Sequence, residues 1–191
     1  MPDRGAFSLQ TVSAIKATMR DVLGCVDDPS LSDPAAAAKQ FRDQITAALN
    51  KVGDDLALVD LAFIDAQFVG ARAVRDPGTV RAVVAAVATP ASTGLSSIAG
   101  RVHPVDRWSP EGVFVRLGAD ATRRVRVPLA PGSFTTLGIS EVRPLAIGEE
   151  IVIEGRTILA FDGERDLPVS ERGRVTVRIE SSGPLLIDVD A

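Results

Sequence analysis

The N-terminal part of the chain places its apolar side chains at the spacing of α-helices. Ser8 is a candidate N-cap, Gly24 can close the helix, and the apolar positions between them are Leu9, Val12, Ile15, Met19, Val22 and Leu23. The Asp33-Pro34 pair predicts a second helix, because aspartate favours the N-cap and proline the first helical position. Its inner face carries Phe41, Ile45 and Leu49. We therefore predict a two-helix arm over residues 1–53.

From Asp54 onward the apolar pattern changes to that of β-strands. Residues 56–65 form a continuous apolar run, which is typical of a buried strand. Short apolar or alternating runs recur at 112–117, 124–129, 149–154, 156–161, 173–180 and 184–189. Valine spacing in 77–90 fits a helix and valine density fits a strand, so both stay open there. Short strands separated by glycine and proline predict a sandwich or a closed sheet, and Gly155 predicts a tight hairpin.

Composition and charge argue against two classes of partner. The chain has 191 residues, of which 46% are hydrophobic and 24% are charged, as in ordinary globular proteins. A formal net charge of −4 leaves no broad basic surface for a phosphate backbone, so we expect no nucleic-acid partner. No apolar run approaches the roughly 20 residues of a membrane span, and MPDRGAF lacks a signal-peptide core. Because Cys25 is the single cysteine, no intramolecular disulfide can form, and we expect a cytoplasmic protein.

Small residues in TPASTGLSSIAG (89–100) indicate a candidate ligand-binding loop. Gly94 allows close backbone approach, and Ser96 and Ser97 add hydroxyl groups. A helix that begins here would favour an anion at its N-terminus, although a serine-capped helical turn explains the same residues. The Gly-x-Ser-x-Gly pattern of a nucleophile elbow is missing from the segment. With His103 as the single histidine, we expect neither a hydrolase nor a zinc site.

Charged residues interrupt the apolar pattern at two further places. Asp65 and Arg72 flank Gly70 in FIDAQFVGARAV, where a charge must be solvated, paired or used on a ligand. Downstream, the Asp162-Gly163-Glu164 segment follows the apolar run ILAF. Carboxylates at i and i+2 of an extended chain share a face, which suits a metal or a general base beside a phosphate. A turn with solvated charges is the alternative.

A proline-rich stretch, VPLAPGSFTTLGI (127–139), predicts a loop between strands. Its prolines and glycine break the strand pattern, and its hydroxyl side chains could line a pocket wall. A proline-fixed connection without a ligand explains the same residues equally well.

Eight segments occur in an order that resembles one family. ALVD, FVGARAV, TPASTGLSSIAG, EGVFVRLG, VPLAPGSF, GEEIVIEG, LAFDGERDL and GPLLIDV look like the C-terminal domain of the ATP-NAD kinase-like proteins, in particular the acetoin-catabolism X-protein branch. The similarity covers about residues 54–191. It implies an α+β, mainly β fold, in which a β-sandwich like the NAD kinase C-terminal domain follows the short helical arm.

The resemblance also implies a site. Gly94, Ser96 and Ser97 would line the NAD side of a nucleotide cleft. Asp65 and Arg72 would face the cleft or an adjacent subunit.

The same resemblance gives the acidic turn a role. Asp162 and Glu164 would match a catalytic Asp-Gly-Glu signature close to phosphoryl transfer, and Gly163 would contact the substrate. ATP, NAD and magnesium would be the cofactors, with no residue of this chain assigned to hold a metal. Family members often build oligomers through this domain, so a homo-oligomer is expected.

The sequence also departs from the family pattern. It contains no Gly-Gly pair, so the Gly-Gly-Asp-Gly motif of the family's Rossmann-like N-terminal domain is missing. We therefore expect a substrate-binding and assembly domain with little or no kinase activity of its own. A truncated gene, a subunit that pairs with a separate N-terminal kinase domain, and a protein that has lost catalysis all fit this expectation. A non-catalytic interaction module, in which the helical arm docks on a neighbour, is the alternative from another class. A lipid-kinase-type accessory domain is a third.

Overall fold

The computed structural model describes residues 8–11, 14–20, 53–65, 77–130, 132–181, 183 and 185–188. Over these ranges the chain forms thirteen β-strands, one α-helix and a short 3₁₀ helix at Pro77–Thr79. The helix, α1, spans Ser96–Val102. The strands are β1 (Ser8–Thr11), β2 (Ala14–Arg20), β3 (Gly53–Ala57), β4 (Asp60–Ile64), β5 (Val80–Ala85), β6 (Glu111–Leu117), β7 (Arg123–Ala130), β8 (Ser133–Ala146), β9 (Glu150–Glu154), β10 (Thr157–Phe161), β11 (Arg165–Val169), β12 (Arg174–Glu180) and β13 (Leu185–Asp188).

Most strands lie in two antiparallel sheets. The larger sheet has seven strands in the order β11-β10-β4-β5-β6-β8-β7, and the smaller has four in the order β3-β2-β12-β9. A separate pair joins β1 to β13. One apolar cluster contains buried side chains from both sheets, among them Phe63 and Phe114 from the larger and Val177 and Ile179 from the smaller. The two sheets therefore pack face to face and share a core.

Helix α1 covers the other face of the seven-stranded sheet. Ile98 and Ala99 are fully buried there among side chains that include Val83 and Val113. The helix comes close to the preceding loop because Gly100 has no side chain. A Cβ at Gly100 would lie 2.1 Å from the carbonyl oxygen of Thr89, so only glycine permits this approach. This packing fixes the position of residues 89–97 against the sheet. These residues comprise the connection before α1 and its first two residues, and are called the 89–97 loop.

Among the described strands, the chain passes between the two sheets at four turns, two of which lie before β4 and before β10. The bend at Leu58 and Val59 links β3 of the smaller sheet to β4 of the larger. Gly155, with φ of 89°, links β9 of the smaller sheet to β10 of the larger. The predicted hairpin at Gly155 is therefore wrong, because the strands that flank it pair with β12 on one side and with β4 and β11 on the other.

The prediction of a mainly β fold is confirmed. Strands occupy all the short runs predicted after Gly100, and the ambiguous 77–90 segment contains strand β5. The continuous apolar run predicted at 56–65 is divided between β3 and β4 by the sheet-crossing bend. The predicted loop at 127–139 instead belongs largely to β7 and β8, which form a hairpin around Gly132. The similarity of this fold to an NAD kinase domain stays a prediction.

The first predicted helix is wrong. Residues 14–20 form a central strand of the smaller sheet, paired with β12 on one side and β3 on the other, and β1 pairs with β13. Pairing on both edges satisfies the backbone groups of β2, and this tertiary context overrides the helical spacing of its side chains. The second predicted helix lies outside the described residues, and the domain boundary at residue 53 stays a prediction. No helix in the described part of the chain has the length and apolar character to cross a membrane.

Candidate functional site

The Asp162-Gly163-Glu164 segment forms the turn between β10 and β11. Asp162 has φ of 55° and Gly163 has φ of 66°, which is the positive φ at both central positions of a type I′ turn. The Glu164 N–H donates to the carbonyl oxygen of Phe161 at 2.9 Å and closes the turn. Aspartate followed by glycine is a preferred pair for this geometry, since both tolerate positive φ.

The Asp162 carboxylate binds the backbone of the sheet-crossing bend. The Leu58 N–H donates to both carboxylate oxygens at 3.0 Å. The N–H groups of Val59 and Asp60 donate to Oδ1 at 2.8 and 3.2 Å. Three consecutive N–H groups thus surround one anion, and hydrogen bonds to a charged acceptor are roughly twice as strong as neutral ones. Asp162 therefore holds the corner where the chain passes between the sheets.

Arg165 joins the same turn to the smaller sheet. Its Nη1 donates to both oxygens of Asp55 at 2.7 and 2.8 Å, and its Nη2 donates to the carbonyl oxygen of Leu56 at 2.7 Å. The guanidinium also lies over the Phe161 ring, 5.1 Å from its centroid. Since Arg165 belongs to β11 and Asp55 to β3, this ion pair connects the two sheets beside the Asp162 contact.

Asp60 is a buried carboxyl group at the centre of this region. It begins β4, its carbonyl oxygen accepts a hydrogen bond from the Asp162 N–H at 2.9 Å, and only 5% of its surface is exposed. Its Oδ1 has no hydrogen-bond partner among the described residues. Burial and, second, the negative charge of Asp162 raise the pKa of the Asp60 carboxyl to about 6, although hydrogen bonds from the Ser96 side chain and backbone oppose the shift.

Ser96 connects this carboxyl group to the 89–97 loop. The hydrogen bond of its hydroxyl in the structure goes to the carbonyl oxygen of Thr93 at 3.3 Å, and the Ser97 hydroxyl donates to the carbonyl oxygen of Gly94 at 2.5 Å. Both serines are buried. Gly94 has φ of 76°, and its N–H donates to the carbonyl oxygen of Pro128 at 3.0 Å. The serine hydroxyls therefore shape the loop from within, while Thr93 and Gly94 reach the surface.

The structure brings some predicted site residues together and separates others. Ser96 and Asp162 both interact with Asp60, and Gly163 and Glu164 lie in the Asp162 turn with their surfaces exposed. Asp65 lies just beyond the opposite end of β4, where its N–H donates to the carbonyl oxygen of Thr79 at 2.7 Å. Arg72 lies outside the described residues.

Asp60 is the residue of this site that the sequence reasoning missed. The rule applied to Asp65 and Arg72, that a charge within an apolar run needs a partner or a ligand, applies equally to Asp60 in LALVDLAFI. That signal was present in the sequence. What the sequence lacked was the pairing of β4 with β10, which places Asp60 beside Asp162.

The described side chains do not form a metal site. No three histidine, cysteine, aspartate or glutamate side chains of the described ranges converge as ligands. Both oxygens of Asp162 already accept backbone hydrogen bonds, and a carboxylate in that state is a poor ligand for magnesium, which needs an almost regular octahedron of oxygens. The site offers instead a buried titratable group coupled to a surface loop.

Comparison with known proteins identifies relatives of this chain. The profile of the acetoin catabolism protein X C-terminal domain matches residues 43–182. The acetoin catabolism protein X of Cupriavidus necator is 36% identical over 140 residues. That alignment covers 72% of this chain and 39% of the relative, so the chain spans about two fifths of the relative's length. The resemblance to the acetoin-catabolism X-protein branch is confirmed by both matches.

Asp60 gives folding a pH dependence that Asp60→Asn should remove. The pKa of this carboxyl rises from 3.8 to about 6 on folding, so between these values the folded protein keeps a proton that the unfolded chain has lost. The stabilisation that protonated Asp60 contributes below pH 4 is therefore lost as the pH rises towards 6. Relative to Asp60→Asn, the wild-type free energy of unfolding should fall by about 2–3 kcal/mol over this interval.

Urea denaturation at several pH values between 4 and 7 measures this difference. Asp65→Asn is the matched control, because it changes an exposed carboxyl at the other end of the same strand. A wild-type-minus-variant difference that stays constant across the pH range would show that Asp60 titrates alike in the folded and unfolded states.

Proposed function

Because the chain belongs to the family of acetoin catabolism protein X C-terminal domains, we propose that it is the substrate-binding and assembly domain of an ATP-NAD kinase-like protein. It serves NAD phosphorylation when a catalytic domain completes the nucleotide cleft. The observation that carries this proposal is the connection from the Asp162 turn through buried Asp60 to Ser96 of the 89–97 loop. Two segments far apart in sequence thereby meet at one place in the fold, which supports a shared ligand-binding wall.

In this proposal NAD contacts the exposed part of the 89–97 loop. Thr93 and Gly94 present backbone and hydroxyl groups at the surface, and the buried hydroxyls of Ser96 and Ser97 hold the loop in shape. A rigid loop loses little entropy when a ligand binds, which favours affinity. The pKa of Asp60, about 6, makes the hydrogen bond to Ser96 dependent on pH near neutrality.

The two carboxylates of the turn take different roles. Asp162 acts as a positioning residue, since its oxygens are engaged by the backbone of Leu58, Val59 and Asp60. Glu164 is exposed at the tip of the turn and is the carboxylate free to approach a phosphoryl group. ATP and magnesium belong to this proposal as the partners of a catalytic domain, and we assign no magnesium ligand to this chain.

Calorimetric titration with NAD tests the binding role through Gly94→Ala. Gly94 has φ of 76°, and no atom lies within 4 Å of the position that a Cβ would take there. Alanine therefore adds backbone strain of roughly 1–2 kcal/mol without a clash. We expect NAD to bind about tenfold more weakly to this variant, because the loop must leave its left-handed conformation.

Gly148→Ala is the matched control. Gly148 has φ of 82° and the same open surroundings, yet it lies in the turn between β8 and β9. Equal NAD affinity in both variants, or no binding of NAD to the wild type at millimolar concentration, would refute the binding role.

The role of Glu164 is tested by measuring NADP formed from NAD, ATP and magnesium, with any N-terminal kinase-domain subunit present. We expect Glu164→Gln to lower the rate at least about tenfold, because it removes a carboxylate that can act as a general base close to phosphoryl transfer. Glu171→Gln, which changes an exposed glutamate in the next turn, should leave the rate unchanged. A Glu164→Gln rate equal to that of wild type would remove this carboxylate from the reaction.

A non-catalytic assembly role is favoured by one observation. The end of β3 and the sheet-crossing bend expose apolar side chains beside the site, with Leu56 at 43%, Leu58 at 42% and Val59 at 39%. Three neighbouring apolar side chains at one corner are suited to burial against another copy or a kinase-domain subunit. Under this alternative the site holds the corner together for assembly and binds no nucleotide.

Light scattering on Leu58→Lys tests the assembly role. If the corner is an oligomer interface, the charge should shift the wild-type assembly towards monomer. Val152→Lys, which changes a 40% exposed valine on β9, is the matched control. A wild-type monomer, or an oligomer that withstands Leu58→Lys, would argue against this interface.

A further inference from the structure

A pocket lies at the end of the larger sheet opposite to Asp60. It has a volume of about 840 Å³ and is lined by the start of β5, the end of β6, the following loop, and parts of β7 and β8. Strand β5 separates the two places, since Val80 at its start borders the pocket and Ala85 at its end pairs with Asp60. A pocket of this size accommodates a small metabolite or a nucleotide.

The lining of this pocket is basic although the protein is acidic. Arg81, Arg116 and Arg124 border it, together with two threonines, and its described lining includes no aspartate or glutamate. The whole chain carries a net charge of −4. Three guanidinium groups around one concave surface concentrate positive charge there, and such a surface attracts anions.

Two glycines shape the pocket. The Gly118 N–H donates to the carbonyl oxygen of Gly138 at 3.1 Å, and a Cβ at Gly138 would lie 2.1 Å from the carbonyl oxygen of Gly118. The loop after β6 can therefore lie against β8 only because residue 138 is glycine. Arg124 fastens this loop, since its Nη2 donates to the carbonyl oxygen of Ala119 at 2.8 Å.

The three arginines are held in place but keep donors for a ligand. Arg81 Nη1 donates to the carbonyl oxygen of Arg156 at 3.3 Å, and Arg116 Nε donates to Glu141 at 3.2 Å. Glu141 is shared with Arg143, so it neutralises Arg116 only in part. A guanidinium has five N–H donors, and the hydrogen bonds described here use one from each of the three arginines that border the pocket.

We propose that this pocket binds a small ligand that carries phosphate groups, at a site separate from the 89–97 loop. Guanidinium groups recognise phosphate through paired N–H donors, and the threonines at 135 and 136 add hydroxyl donors on the same wall. Phe134 borders the pocket with 51% of its surface exposed. Its ring offers a stacking surface for a base, although Arg126 already lies 4.6 Å from its centroid.

The test is calorimetric titration of the full chain with inorganic pyrophosphate and, separately, with ADP. We expect pyrophosphate to bind, and to bind at least about tenfold more weakly to Arg124→Gln and to Arg116→Gln. Both arginines are exposed, so these variants should fold, which circular dichroism checks. Arg107→Gln changes an exposed arginine near the end of α1 and should leave binding unchanged.

The two probes also distinguish the source of the phosphate. Tighter binding of ADP than of pyrophosphate, lost in Phe134→Ala, assigns the pocket to a nucleotide, and equal binding assigns it to a phosphate group alone. Gly94→Ala should leave pyrophosphate binding unchanged, so this site and the NAD site can fail independently. No binding of pyrophosphate at millimolar concentration, or equal binding to wild type, Arg124→Gln and Arg116→Gln, would overturn the proposal.

Discussion

The Asp162 carboxylate is the contact on which the candidate site depends. The chain passes from the smaller to the larger sheet at Leu58 and Val59, and a corner of this kind leaves backbone N–H groups without a strand partner. Asp162 accepts hydrogen bonds from these residues and from Asp60, while Arg165 binds Asp55 on the smaller sheet. One turn therefore satisfies the corner and joins the two layers of the fold.

The same arrangement has an electrostatic consequence. The charge that stabilises the bend lies close to buried Asp60 and adds to the effect of burial on its pKa. Asp60 in turn is hydrogen-bonded to Ser96, at the start of the helix that follows the candidate ligand loop. Folding therefore retains a buried, poorly solvated carboxyl group beside the 89–97 loop, and perturbed carboxyl groups are common at functional sites.

Local patterns predicted the strands well because alternation and apolar runs act over a few residues. Local patterns could not predict which distant segments pair with each other. Residues 14–20 repeat apolar positions at helical spacing, yet β12 and β3 supply edges that turn them into a central strand. The sequence likewise presented Asp162 as either a turn residue or a catalytic carboxylate. The structure shows that Asp162 is a turn residue. Its contact with residues 58–60 joins segments that lie more than a hundred residues apart in the sequence, and no local pattern reveals such a contact.

The two proposed binding places use different chemistry at opposite ends of one sheet. The corner near Asp162 offers a rigid loop and a titratable carboxyl, whereas the other end offers arginines. We infer that Asp162 both holds the corner and raises the pKa of Asp60. An NMR titration of the Asp60 carboxyl carbon, in wild type and in Asp162→Asn, tests this inference, since asparagine tolerates the positive φ of this turn. We expect an Asp60 pKa of about 6 in the wild type and a lower Asp60 pKa in the variant; the same Asp60 pKa in both proteins would show that Asp162 does not raise it.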